Sequence, residues 1–185
     1  MEKEVKKACE ILSKGGIILY PTDTIWGIGC DATNQDAVRK VYEIKQRIDS
    51  KSMLVLLDST DKLKHYVSDC PDTALELIKA SDKPVTIIYS GAKNLASNLI
   101  AEDGSIGIRI TQEAFSKELC RQFKKPVVST SANISGKASP ANFSEIDLAV
   151  IKAVDYVVNY RQDDLISAQP SSIIKFDNGC IIKIR

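Results

Sequence analysis

The sequence has one histidine, His65, in 185 residues. A serine or cysteine nucleophile paired with an imidazole base needs that residue, and so does a histidine-rich metal site. His65 lies in DKLKHYV, which reads as a short, partly exposed helix, and no catalytic role is assigned to it. There is no G-x-S-x-G, so the nucleophile elbow of a serine hydrolase is missing. There is no G-x-x-x-x-G-K-[ST] either, so ATP, if bound, must be held by other means than a Walker A loop. Charge of one sign is also lacking: 25 Lys and Arg face 24 Asp and Glu, a net +1. No global pull toward nucleic acid or membrane is encoded, and any basic site must be local. The five cysteines are widely spaced with no C-x-x-C, which argues against a disulfide framework or a zinc ribbon. They read as small apolar residues in a reducing compartment. No apolar run approaches the roughly 20 residues of a membrane helix. The opening MEKEVKKACE lacks the apolar core of a signal peptide. A cytoplasmic protein without membrane contact is therefore expected, and no resident metal ion.

What is present is the composition of a globular chain, 44% hydrophobic and 26% charged. The length suits one domain, residues 1–185, with a full core. Helical spacing at Val5, Ala8, Cys9 and Leu12 predicts a helix over 3–14, stopped by Gly15-Gly16. Ile17 to Tyr20 reads as a buried strand. A helix with Thr33 as cap and Asp36 three residues on is expected next, with Ala37, Val41, Ile44 and Ile48 on its apolar face. Strands are expected at 53–57, 85–89, 105–110 and 126–128, and helices at 60–67, 72–80, 112–123 and 144–153. Residues 129–139 read as a small-residue loop. Another strand is expected near 155–158. The chain closes on a hairpin, 172–176 and 180–184, around Asp177-Asn178-Gly179. Interleaved helices and strands, some of them hairpin-joined, predict an α/β fold with a twisted, open, mixed sheet and flanking helices.

Four stretches can carry chemistry. Thr22, Asp23 and Thr24 lie between two apolar runs, Ile17 to Tyr20 and Ile25 to Ile28. They form either an ordinary turn or a polar triplet at the mouth of a core. Lys45, Arg47 and Lys51 lie at a helix end running into a loop. They are either helix-end charges or a polyphosphate clamp, for which arginine offers a planar fork and lysine a point charge. In PVVSTSANISG, a buried strand runs into Ser129, Thr130, Ser131, Asn133 and Ser135. Crevices outside strand ends are where α/β sheets bind ligands. Arg109 alternates with Ile108 and Ile110 and is expected on the wet face of its strand. If that face lines the crevice, its partner is a ligand carboxylate or phosphate.

Together, YPTDTIWGIGCDA, IKQR with Lys51, KPVT, IGIRI and STSANISG with Ser139-Pro140 resemble the Sua5/YrdC/YciO family over about residues 10–176. The resemblance implies a single-domain L-threonylcarbamoyladenylate synthase of the short type. Such an enzyme makes threonylcarbamoyl-AMP and pyrophosphate from L-threonine, bicarbonate and ATP with Mg2+. The product passes to partner proteins that install t6A at position 37 of tRNA. By position, Lys45 and Arg47 match the catalytic Lys-x-Arg. Lys45, Arg47, Lys51, Thr86, Ser131, Asn133 and Ser139 match nucleotide-binding positions, and Thr24 and Arg109 match threonine-binding ones. The chain departs from the family pattern at Ser52-Met53, at Ser81-Asp82-Lys83 before Pro84, and at Thr111, where a proline is usual. These departures leave room for a YciO-like paralogue. A binding module for structured RNA, with weak contact through a basic concave surface, is a rival of a different class. A carbamoyl-adenylate enzyme of hydrogenase maturation is another, although that role normally sits in a much longer chain.

Overall fold

The computed structural model describes residues 1–46, 53–165, 169–177 and 180–184, without the side chains of Asp177 and Cys180. Helix α1 (Glu2–Ser13) buries Val5, Ala8 and Leu12, the stripe set by the 3.6-residue period. Strands β1 (Ile18–Tyr20) and β2 (Gly27–Gly29) pair antiparallel around the Pro21 to Trp26 turn. Helix α2 (Gln35–Lys45) is capped by Asn34 rather than Thr33. Asn34 Oδ1 accepts from the Asp36 and Ala37 amides at 3.0 and 3.1 Å. Thr33, one residue before the cap, instead donates its hydroxyl to Asp31 Oδ1 at 2.6 Å. Ile48 of the expected apolar face lies outside the described residues.

The remaining elements are β3 (Leu54–Leu57), α3 (Leu63–Tyr66), α4 (Asp72–Ala80), β4 (Val85–Tyr89), β5 (Ile106–Ile110), α5 (Ala114–Phe123), β6 (Val127–Ser131), α6 (Leu148–Ala153), β7 (Tyr156–Val157), β8 (Ser172–Asp177) and β9 (Cys180–Lys183). Two expected helices are divided. Thr60–Lys62 is a 3-10 turn ahead of α3, and Phe143–Glu145 is one ahead of α6. Asp147 restarts the second by accepting from the Ala149 amide at 2.9 Å. The hairpin forms with Asp177 opposite Cys180, and its Asn178-Gly179 turn lies outside the described residues. His65 is exposed on α3. Among the described residues, no helix is long and apolar enough to cross a membrane.

The nine strands form one open, twisted, mixed sheet in the order β7-β1-β2-β6-β3-β5-β4-β8-β9. Strand alternation divides the apolar residues between its faces. Ile17, Leu19, Val55, Leu57, Ile106 and Ile108 point to one face, covered with α2 and α6. Ile18, Tyr20, Leu56 and Val127 point to the other, against α1 and α5. Helices α1 and α5 cover only part of this second face. The uncovered remainder carries the small and polar residues of the same strands.

Candidate active site

Strand β6 makes that transition within five residues. Val127, Ser129 and Ser131 point to one face, and the first is buried under α1 and α5. Reading Ser129 to Ser131 as loop is therefore corrected. Leu54 pairs with Ser129 and Gly27 with Ser131, so two neighbours hold the polar segment in the ladder. Thr130 is a β-branched strand former, and register with apolar neighbours carries the two serines along with it.

The exposed part of this face is a cleft of about 240 Å3. Gly27 and Gly107 lie in its floor, where the missing side chains leave room. A Cβ on Gly27 would stand 3.3 Å from Ser129 Oγ, and one on Gly107 would stand 3.3 Å from the Thr86 methyl. Thr24, Thr86, Arg109, Ser131 and Ser139, all singled out in the sequence, line the cleft. Ser129 and Thr130, named in the polar stretch but given no role, line it too, as do Ser105, Ser171, Trp26 and Met53, which have no assignment from the sequence. Ser105 starts the expected strand 105–110 on the face shared by Gly107 and Arg109, whereas Ser171 has no such signal. Ser171 is brought in by β8 pairing beside β4, where its hydroxyl meets Thr86 Oγ1 at 2.9 Å.

Arg109 differs from the expectation of a wet face, being only 3% exposed. Its Nη1 donates to Thr24 Oγ1 at 3.1 Å. Its Nε lies 3.2 Å from Asp23 Oδ1, a charge contact short of hydrogen-bond alignment. The Arg109 side of β5 faces the crevice floor, and the PTDT turn closes over it. Burial pushes the Asp23 carboxyl above its ordinary value, while the Arg109 guanidinium and the Gln112 amide pull it back. Asp23 thus turns to the arginine, not to the cleft. The usual family proline beyond Arg109 is Thr111 here, and its amide donates to Leu57 O at 2.9 Å. Thr111 is fully buried, and its hydroxyl meets Ser116 Oγ at 2.7 Å.

Lys45 is also buried, at 2% exposure, and does not line the cleft. Its Nζ donates to Ser131 O at 2.6 Å, Asn133 O at 2.7 Å and Asn133 Oδ1 at 3.1 Å. Ser131 Oγ donates to the same Asn133 Oδ1 at 2.5 Å, and Asn133 Nδ2 donates to Lys137 O at 2.6 Å. Lys45, Ser131 and Asn133 are therefore together, as expected. These bonds go to the last residue of β6 and the loop after it, and tie the end of α2 to both. Arg47 and Lys51 lie outside the described residues.

Among the described residues lining the cleft, Arg109 is the one formal cation and no carboxylate is present. Elsewhere too, the described residues contain no cluster of His, Cys, Asp and Glu that could hold a metal ion. That donor set does not fit a resident Mg2+, which asks for one or two carboxylates, but leaves room for Mg2+ carried on a nucleotide's phosphates.

Fold and cleft define an α/β protein whose sheet face carries a cleft with a buried arginine and a hydroxyl-lined rim. The chain belongs to the Sua5/YciO/YrdC family, whose model, described as "Telomere recombination", matches residues 10–185. It is 39% identical to a putative threonylcarbamoyl-AMP synthase of Methanocaldococcus jannaschii, covering 100% of this chain and 87% of that one. It is 31% identical to the threonylcarbamoyl-AMP synthase of Pseudoalteromonas translucida, covering 98% of each. Escherichia coli YciO has the same fold, with a TM-score of 0.87 at 23% identity, over 100% of this chain and 89% of that one. The Sua5 of P. abyssi complexed with L-threonine matches all of this chain with a TM-score of 0.89 at 19% identity. This chain spans 54% of that Sua5's length.

Proposed function

We propose that this protein is an L-threonylcarbamoyladenylate synthase acting in the cytoplasm, with residues 1–185 as one catalytic domain. The observation that carries the reading is the Arg109–Thr24 contact inside the hydroxyl-lined cleft. The names of the relatives, which match nearly end to end, support it. The near-neutral net charge and the single cleft-lining cation among the described residues weigh against an RNA-binding module.

In this reading Arg109 takes the threonine carboxylate and Thr24 meets the amine or hydroxyl beside it. The neutral amine and bicarbonate form a carbamate with loss of water. A carbamate oxygen then bonds to the α-phosphorus of ATP as the bond to the β-phosphate oxygen breaks and pyrophosphate leaves. No protein nucleophile is required, which agrees with a sequence holding one exposed histidine. The protein's work is to place two anions against each other and to stabilise charge on phosphoryl oxygens. Ser131, Asn133, Thr86 and Ser139 frame the nucleotide, Lys45 shapes that frame, and Arg47 with Lys51 supplies the phosphate charge. Mg2+ enters with ATP as part of the substrate. The product goes on to tRNA-modifying partner proteins for t6A37 formation.

The test is pyrophosphate release by the purified protein with ATP and Mg2+. Release is expected only when L-threonine and bicarbonate are both present. Release that ignores either one would overturn the assignment.

A further inference from the structure

The hydroxyls of the PTDT turn form a chain whose direction can be worked out. Thr22 is 3% exposed, and its Oγ1 lies 2.8 Å from Ile25 O. A carbonyl can only accept, so the single Thr22 proton goes there. Thr22 Oγ1 then receives the Thr24 amide at 3.1 Å and contacts Thr24 Oγ1 at 3.1 Å. With its own proton used, Thr22 can only accept in that second contact, and Thr24 must donate. Thr24 Oγ1 also accepts from Arg109 Nη1 at 3.1 Å. Protons therefore run from Arg109 to Thr24, from Thr24 to Thr22, and from Thr22 to Ile25 O. What remains on Thr24, which lines the cleft, is one lone pair.

We propose that Thr22 is a positioning residue that fixes the Thr24 hydroxyl as an acceptor toward the ligand. Whatever group meets Thr24 must then carry an N–H or O–H. Under the function proposed above, that group is the amine or the hydroxyl of L-threonine, while the carboxylate is left to Arg109. A freely rotating Thr24 hydroxyl could instead donate to the carboxylate and compete with the guanidinium for it. Thr22 is buried and does not line the cleft, so its effect on the ligand passes through Thr24 alone.

Two measurements test this. Neutron diffraction from D2O-exchanged crystals of the wild-type protein reads the polarity without any ligand. The Thr24 deuteron is expected to point to Thr22 Oγ1 and the Thr22 deuteron to Ile25 O. A Thr24 deuteron aimed into the cleft would overturn the proposal. Calorimetry with L-threonine and, separately, an ATP analogue compares wild type, Thr22→Val and Thr22→Ser. Valine keeps the shape but loses both hydrogen-bonding functions. It is expected to weaken threonine about tenfold, the equivalent of one lost hydrogen bond, with nucleotide affinity held within about twofold. Serine is expected to restore threonine binding. Undiminished threonine binding by Thr22→Val, or an equal loss in Thr22→Ser, would sink the idea. If the wild type does not bind threonine, the function proposed above fails, while the deuteron positions still decide the polarity. They also decide it if Thr22→Val does not fold.

Discussion

Replacing Lys45 with methionine separates two roles that a catalytic lysine and a structural lysine would otherwise share. The side chains have similar length, so the change removes charge and donors with little change of volume. In the native protein the ammonium holds Ser131 O and Asn133 O at 2.6 and 2.7 Å. Ser131 O keeps a second donor, the Asn133 amide at 2.9 Å, so the main loss is at the half-buried Asn133 O and costs about 1–3 kcal/mol. The variant no longer has to bury an ammonium, which offsets part of that loss. A net destabilisation of about 1–2 kcal/mol is expected, after that offset is set against the lost donor. At about 2–4 °C per kcal/mol for a chain of this size, the melting temperature should fall by about 2–8 °C. Nucleotide affinity should fall with it, because Ser131 and Asn133 lose the anchor that orders them. A lysine that only touches phosphate would behave differently, since its removal would leave the apo fold unchanged or firmer. The assay is a thermal melt of the ligand-free protein beside calorimetry with an ATP analogue. A Lys45→Met melting temperature equal to wild type, with binding lost, would refute the anchoring role and return Lys45 to the phosphate.

Asp23 and Arg109 form a buried pair, 10% and 3% exposed, and each should be missed more alone than together. Asp23→Ala and Arg109→Met should each destabilise by about 3–5 kcal/mol, and the double variant by clearly less than their sum; additive urea-unfolding energies would show that the pair is uncoupled. Gly29→Ala should cost about 1–3 kcal/mol through overpacking. Its Cβ would stand 2.6 Å from both Tyr20 Cε1 and Val128 O, and a variant melting like wild type would mean that the β2–β6 contact yields more readily than this geometry indicates.

The sequence determined which segments become strands and helices, because the 2.0 and 3.6 periods of its apolar residues are local properties. It also determined the chemical palette of the site: Thr24, Arg109 and Ser131 were legible as short polar groups or a lone charge next to buried strands, Thr86 and Ser139 through the family resemblance, and all five line the cleft. Where a single competing hydrogen bond decided the outcome, local reading failed. Asn34 displaced Thr33 as cap because Asp31 had already engaged the Thr33 hydroxyl.

Only the tertiary structure decided which way the charges point. Arg109 reads as a solvated strand residue until the PTDT turn, 85 positions away in sequence, closes over it and supplies Asp23 and Thr24 as partners. Lys45 reads as a helix-end cation until β6, 86 positions away, brings Ser131 O to its ammonium. Ser171 enters the cleft through the β4–β8 pairing alone. Whether a polar group serves the ligand or the fold depends on where its protons and lone pairs are already engaged. Those partners come from strands far apart in the chain, so no window of sequence around a residue contains the answer.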